Sequence, residues 1–238
     1  MSDGIAEGWL DAQEPHDAAR SEAQIDGLLQ LLGPAPRRVL DLGCGAGRTL
    51  IPIARRGHHV IGLDRSSAAL SRCEAALGEH ATARLIETDF RQPWPSPDAP
   101  FDMICCLGNT FMTLTEVDMA VEVLARGVAS LEGDGLFVID DFPHELWPQV
   151  ADGLWQSGMS PDGAAQLVWA ADDAVLALRT GAAVDPDLWH ITESDTVVRL
   201  WTMGALRLAA RCAGLSAPRR IADAGLLTMT PTTPDRPR

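Results

Sequence analysis

The amino-acid sequence predicts an α/β fold built on an open, doubly wound sheet. Short apolar runs that end on acidic residues alternate with segments of helical periodicity, as expected for parallel strands joined by crossover helices. The first run, VLDLGCGAGR at residues 39–48, passes from strand to helix through three glycines at alternate positions. The chain has 238 residues, which is enough for one domain of ordinary size with a full core.

Composition narrows the function classes. The formal net charge of -14 disfavours nucleic acid and anionic membrane surfaces as partners, so a small-molecule substrate is predicted. Five cysteines without a CxxC pair predict free thiols in a reducing cytoplasm. The acidic N-terminus lacks the features of a secretory signal. Because the sequence has no cluster of metal-ligating residues, no metal site is predicted. The sequence leaves a homodimer open.

The elements follow in order along the chain. Apolar residues at helical spacing predict a helix that begins near Ser21 and ends at Gly33 and Pro34. A second strand at residues 58–63 ends on Asp64, and Ser66 then caps a helix that runs to Leu77. His58 and His59 stand at the start of the second strand, and this position predicts that both lie on the surface.

The second half of the sheet is predicted in the same way. Strands at residues 83–87, 101–106 and 136–139 surround a helix at 116–131, and the proline-rich stretch 91–100 is a loop. Residues 143–201 alternate with period two between turns, which predicts an inserted antiparallel sheet or lid that includes DLWHIT at 187–192. A helix at 202–212 and strands near 215–221 and 226–230 complete the chain.

The glycine turn indicates a nucleotide-type site. Glycines at alternate positions let a ligand lie against bare peptide groups, and the next helix directs its N–H groups toward it. A Walker loop needs a lysine, and the chain has none; the dinucleotide fingerprint needs a glycine where Arg48 stands. Asp64 lies about 20 residues beyond the turn, where such folds place an acid on the ribose hydroxyls.

An acidic residue followed by GxGxG resembles motif I of the class I S-adenosylmethionine-dependent methyltransferases, and the downstream order of motifs resembles their glycine and sugar methyltransferase subgroup. The resemblance implies a Rossmann-like, seven-stranded doubly wound sheet with an antiparallel last strand, and a single domain over residues 1–238. Within it, residues 1–33 would form a cap helix and residues 143–201 the inserted β lid. The implied cofactor is S-adenosyl-L-methionine.

The resemblance also implies roles for individual residues. The glycine turn would support the amino-acid end of the cofactor, Arg20 would pair with its carboxylate, and Asp89 and Phe90 would recognise and cover the adenine. The complete predicted cofactor site is Arg20, Asp41, Gly43, Cys44, Gly45, Gly47, Asp64, Arg65, Asp89, Phe90, Leu107, Asn109 and Thr110.

Three residues are candidates for a catalytic base. His144 follows the fifth strand closely, Asp141 ends it and could orient the acceptor, and His190 lies in the predicted lid. The predicted function is O- or N-methylation of a small molecule such as a sugar or a secondary metabolite. A methyltransferase-fold enzyme with a non-methylating reaction, a nicotinamide-dependent oxidoreductase and a non-catalytic binding protein remain alternatives.

Overall fold

The computed structural model describes residues 18–78, 83–94, 99–141, 158–160 and 162–232. Its main sheet has seven strands in the order β3-β2-β1-β4-β5-β10-β9. The bounds of these strands are β1 Arg38–Leu42, β2 His59–Asp64, β3 Ala83–Glu87, β4 Phe101–Cys106, β5 Leu131–Asp140, β9 Arg219–Ile221 and β10 Leu226–Met229.

A second, smaller sheet has three antiparallel strands in the order β6-β7-β8. They are β6 Ala165–Trp169, β7 Val175–Thr180 and β8 Val197–Arg199. The helices of the described chain are α1 Ala18–Leu32, α2 Leu50–Arg55, α3 Ser67–Leu77, α4 Val117–Ser130 and α5 Met203–Ala213.

The main sheet combines parallel and antiparallel pairing. Strands β1 to β5 pair in parallel, and β10 pairs antiparallel with both β5 and β9. The carboxyl ends of the five parallel strands therefore share one edge of the sheet, where open α/β folds bind their ligands. This architecture confirms the predicted doubly wound, Rossmann-like fold with an antiparallel end.

The two faces of the sheet are covered by different layers. On one face, Val39 and Val60 pack with Leu28 of α1, Leu50 of α2 and Leu70 of α3. On the other face, apolar strand residues pack with α4, with α5 and with the small sheet, which contributes Leu167, Leu176 and Val198. The small sheet thus shares the core of the main sheet.

Local sequence signals account for most element ends. Ser66 accepts a hydrogen bond from Ala69 N at 3.1 Å, which confirms the predicted cap of α3. Thr202 caps α5 in the same way, and Gly214 ends that helix with a left-handed φ of 85°. Strands β3 and β4 have the predicted bounds.

Three details differ from the sequence prediction. Residues 187–192 form turns instead of a strand, because buried Gln166 and Arg179 hydrogen-bond to backbone carbonyls of this stretch. His58 is 2% exposed, so only His59 lies on the surface, and burial lowers the pKa of His58. Strand β5 begins at Leu131 and passes through Glu132 to Gly135 with an irregular register against β4.

In the described residues, no helix has the length and apolar character needed to span a bilayer.

Candidate active site

A cavity of about 440 Å³ opens at the carboxyl edge of the parallel strands. Part of its wall comes from the segments that follow β1, β2, β3 and β4. The rest comes from Thr113 and Thr115 and from residues 196–197 at the start of β8. A volume of this size lies in the range of small-molecule and cofactor sites. The cavity therefore lies at the carboxyl ends of the strands, where the sequence predicts the ligand site.

The glycine turn forms one wall of this cavity. Gly43, Gly45 and Gly47 all have positive φ values, of 71°, 53° and 88°. A Cβ on Gly43 would lie 2.5 Å from the methyl carbon of Thr110, whereas a Cβ on Gly45 would meet nothing within 4 Å. Gly43 thus lets the loop after β4 approach, and Gly45 presents bare backbone to open space.

Asp64 holds this turn in place from the end of β2. Its Oδ2 accepts a hydrogen bond from Gly45 N at 2.8 Å, and its Oδ1 accepts one from Ser66 N at 2.9 Å. A carboxylate has about four acceptor positions, so each oxygen retains one for a further donor. Asp64 also lines the cavity, and this free acceptor capacity fits a pair of ribose hydroxyls.

Asp41 is a buried carboxylate beneath the turn. It is 1% exposed, lines the cavity and accepts a hydrogen bond from the Thr49 hydroxyl at 2.9 Å. Burial raises the pKa of Asp41 to about 6, against the lowering effect of Thr49. A cationic ligand group would therefore be stabilised by this carboxylate at neutral pH.

The residues after β3 form the opposite end of the cavity. The two carboxylate oxygens of Asp89 share the N–H of Arg91 Nε as acceptors, each at 2.9 Å, and Asp89 Oδ1 also accepts from the backbone N–H of Arg91. Although burial acts in the other direction, these bonds hold the pKa of Asp89 below its usual range. Phe90 is buried beside them, and its carbonyl accepts a hydrogen bond from Trp94 Nε1. Asp89 lines the cavity as predicted, but Arg91 competes for its oxygens.

Asp140, at the end of β5, connects the cavity wall to α1. Its Oδ1 accepts from Gln24 Nε2 at 2.8 Å, and its Oδ2 accepts from Asn109 N at 2.9 Å. Gln24 in turn accepts from Arg48 Nη1 at 2.9 Å, and Arg20 Nη2 lies 3.9 Å from Asp140. Asp140 has no measurable exposure, so this network fixes Arg48, which lines the cavity, from beneath.

The remaining wall consists of hydroxyl and apolar side chains. Thr113 and Thr115 face the cavity from the loop before α4, and Thr196 and Val197 face it from the small sheet. Arg199 joins the two segments, because its Nε donates to the carbonyl of Thr115. Its guanidinium also forms an ion pair with Asp173, which lies just before β7.

The structure brings ten of the predicted cofactor residues to one cavity. Within the described chain, Arg20, Gly47 and Asn109 do not line it; Arg20 and Asn109 contact Asp140 instead, and Gly47 packs against Cys73 and Ile51. The residues that do line it are Asp41, Gly43, Cys44, Gly45, Asp64, Arg65, Asp89, Phe90, Leu107 and Thr110.

Two of the three candidate bases, Asp141 and His190, do not line the described cavity wall. Asp141 is buried in an ion pair with Arg220, and its backbone N–H donates to Gly225 O, so the carboxylate is turned away from the described cavity wall. His190 is exposed, and its carbonyl accepts from Arg179, which holds its stretch of chain outside that wall. Neither residue therefore contributes to the described wall, and both catalytic assignments stay predictions. His144 lies outside the described residues.

Several cavity residues were not predicted. Arg48 follows the last glycine of the motif directly, so its place in the sequence could have indicated a role. Thr196 and Val197 carry no such signal, because their position depends on how the small sheet packs on the main one. The other unpredicted residues that line the cavity are Ala46, Thr49, Ser66, Ala68, Ala69, Arg72, Thr88, Arg91, Gly108, Thr113 and Thr115.

Comparison with known proteins agrees with this geometry. Residues 39–135 match a family described as a methyltransferase domain. The chain is 28% identical over 145 residues to a glycine/sarcosine N-methyltransferase of Aphanothece halophytica, covering 60% of this chain and 54% of the relative. It is 29% identical over 187 residues to a cypemycin N-terminal methyltransferase of a Streptomyces species, covering 75% and 72%.

A solved structure shows the same fold. The amino pentose methyltransferase CalS10 from Micromonospora echinaspora, determined with S-adenosylmethionine bound, superposes with a TM-score of 0.58 at 21% identity over 95% of both chains. The chain spans about half the length of the glycine/sarcosine enzyme that it matches. Residues 39–135 thus match a methyltransferase domain, the chain is similar in sequence to the methyltransferases named above, and it shares the fold of the solved methyltransferase structure.

Proposed function

We propose that the protein transfers a methyl group from S-adenosylmethionine to a small molecule, and that the cavity at the carboxyl edge of the sheet holds both. One observation carries the proposal: Asp64 fixes Gly45 and retains acceptor capacity toward the cavity, while Asp41 and Arg48 line the same cavity. These groups match the hydroxyl, ammonium and carboxylate groups of the cofactor. The relatives named above support the same activity.

Each part of the cofactor would have its own residues. Asp64 would accept the ribose hydroxyls, Asp89 and Phe90 would border the adenine, and Asp41 and Arg48 would face the charged amino-acid end. When bound, the cofactor supplies an electrophilic methyl group on a positively charged sulfur. The task of the chain is then to hold an acceptor in line with that methyl group and to exclude water, and such positioning can contribute about 7–11 kcal/mol.

The acceptor would lie against the threonine-rich wall, and an amine is the acceptor that this wall supports best. The described lining contains no histidine, and its carboxylates already accept hydrogen bonds from protein groups. A neutral amine needs no base to attack, whereas a hydroxyl benefits from one by about 10²–10⁴-fold. For an O-methylation, His144 stays the predicted base.

The small sheet, β6 to β8, would act as the lid of the site within a single domain, since its residues 196–197 complete the wall. Two names support a metabolite as the acceptor: one relative is a cypemycin N-terminal methyltransferase, and the solved structure is that of an amino pentose methyltransferase involved in calicheamicin biosynthesis. We therefore propose a role in secondary metabolism. A cytoplasmic location fits the free thiols of Cys44, Cys73 and Cys105.

Calorimetry with two ligands tests the cofactor site. S-Adenosylhomocysteine carries the amino-acid end, and 5′-methylthioadenosine lacks it. Arg48→Gln should weaken the first ligand about tenfold or more and leave the second unchanged, because only the first offers a carboxylate. Arg207→Gln, an exposed arginine on α5, is the control and should change neither. Failure of the wild-type protein to bind either ligand would refute the proposed site.

Turnover is tested by mass spectrometry. The protein, S-adenosylmethionine and a panel of amino sugars, amino acids and hydroxylated metabolites are incubated together. A product heavier by one methylene, with S-adenosylhomocysteine formed in equal amount, supports methyl transfer. A product of unchanged mass would point to rearrangement and would contradict the proposal.

A further inference from the structure

A second cavity, of about 270 Å³, lies at the opposite edge of the main sheet, where the parallel strands begin. It is separated from the first cavity by the length of the strands, so it does not belong to the site described above. Its lining combines basic and apolar side chains: Arg38, His59, Val60, Ile61, Ala83, Arg84 and Phe101.

The strand register places the basic side chains on one face of the sheet. Arg38 of β1 is paired with His59 of β2, and Ile61 of β2 is paired with Arg84 of β3. His59 and Ile61 are two residues apart, so their side chains point to the same side. The long side chains of Arg38 and Arg84 therefore start from the same face, on either side of β2.

The charge of this cavity is unbalanced. Among the described residues, no carboxylate forms an ion pair with Arg38 or Arg84, although the whole chain has a net charge of -14. Asp102, the nearest acid along β4, accepts from Arg37 Nη1 and from the backbone N–H of Arg38. The Arg38 Nε is buried without a hydrogen-bond partner in the described structure. A buried donor left without an acceptor is unfavourable, so a bound anion would stabilise it.

The cavity also offers an apolar surface. The Arg38 guanidinium lies over the Phe101 ring, with its Cζ 5.8 Å from the ring centroid. Ile61 of β2 lies on the same face of the sheet as Arg38 and adds hydrocarbon to the cavity wall. A ligand at this position would contact guanidinium groups with one end and hydrocarbon with the other.

We propose that this cavity is a binding site for a small organic anion, in which Arg38 and Arg84 hold a phosphate or carboxylate group and Phe101 and Ile61 contact a flat apolar body. The site is independent of the proposed methyl transfer. Its ligand is neither the cofactor nor the acceptor, because both of those belong at the other edge of the sheet.

Phenyl phosphate, benzoate and inorganic phosphate are the probes, titrated by calorimetry with and without S-adenosylhomocysteine. The first two compounds distinguish the anionic group, and the third lacks the apolar body. We expect phenyl phosphate or benzoate to bind more tightly than inorganic phosphate. The affinity should be the same with and without S-adenosylhomocysteine, since the two cavities are separate.

Three variants test the assignment. Arg84→Gln and Arg38→Gln should each weaken the tighter probe about tenfold or more, because a charge-assisted hydrogen bond is lost. Arg207→Gln should not change it. Arg84 is exposed, so its variant keeps the test valid if Arg38→Gln disturbs the sheet.

Four results would overturn the proposal. They are the absence of binding at millimolar probe concentration, binding that both arginine variants leave unchanged, binding that S-adenosylhomocysteine abolishes, and equal affinity for inorganic phosphate and the organic anions. The last result would remove the role of Phe101, and the third would place the anion in the first cavity.

Discussion

The carboxylate of Asp64 accepts a hydrogen bond from the backbone N–H of Gly45 at 2.8 Å, so the end of β2 fixes the turn that follows β1. The ribose-binding candidate and the glycine turn are thus one structural unit. A change in either residue should affect both the shape of the turn and the affinity for the cofactor.

Replacing Asp64 tests this unit. Asp64→Asn turns one acceptor into a donor, so we expect the affinity for S-adenosylhomocysteine to fall about a hundredfold, as when hydrogen bonds to a charged group are lost. Asp102→Asn is the matched control, because Asp102 also accepts from a backbone N–H but lies at the other edge. Calorimetry should show normal affinity for this control, and a similar loss in both variants would contradict the assignment.

Substitutions at two glycines distinguish the effect of backbone strain on stability from the effect of ligand contact on affinity. Gly45 and Gly33 both have positive φ, of 53° and 67°, and a Cβ on either would meet no atom within 4 Å. Gly45→Ala and Gly33→Ala should each lower the free energy of unfolding by about 1–2 kcal/mol. Only Gly45→Ala should weaken S-adenosylhomocysteine, measured by calorimetry, because only Gly45 lines the cavity. Equal affinity in both variants would place the ligand away from the turn.

Asp41 should make stability depend on pH. Because burial raises its pKa from 3.8 to about 6, the stabilisation that it provides is present below the unfolded pKa and is lost as the pH rises through 6. Asp41→Asn should therefore be more stable than the wild type at pH 7.5, by up to about 3 kcal/mol for a shift of roughly two pKa units. It should also bind S-adenosylhomocysteine more weakly. Urea unfolding at pH 5 and pH 7.5 measures the first effect, and a stability gain independent of pH would disprove this origin.

The ion pair of Arg179 and Asp195 should stabilise the small sheet. Both side chains are nearly buried, and the hydrogen bond from Arg179 lowers the pKa of Asp195 from 3.8 to about 2. This part of the stability is present above the unfolded pKa and is lost as the pH falls toward 2.

Two variants of this pair give the measurement. Arg179→Met leaves a buried carboxylate unpaired and should lower the free energy of urea unfolding at pH 7 by about 3–5 kcal/mol. The double variant Arg179→Met with Asp195→Leu should recover much of this loss, because neither charge remains. If the single and double variants were equally stable, the pair would have no such role.

Those parts of the structure that depend on residues close together in the sequence could be predicted from the sequence. The cap at Ser66, the bounds of β4 and the place of Asp64 each follow from a local pattern, and each is found in the structure. The parallel order of the strands follows from the alternation of strands and helices. For the same reason, the edge at which the cavity lies was predictable.

Other features depend on packing between distant segments. The sequence favours Asp141 over Asp140, yet Asp140 shares its face of β5 with Val138, toward α1, and so meets Gln24. Residues 187–192 alternate like a strand, but the side chain of Arg179 holds their carbonyls in turns. Thr196 enters the cavity only because β8 is docked on the main sheet.

The Asp140 network also determines when the ligand wall can form during synthesis. Gln24 and Asp140 are 116 positions apart in the chain, and the backbone N–H of Asn109 donates its hydrogen bond to the same carboxylate. A nascent chain that has not yet released β5 from the ribosome therefore lacks the acceptor that orders the segment after β4. The glycine turn is translated early, but the pocket around it is completed only after residues 196–197 have also emerged.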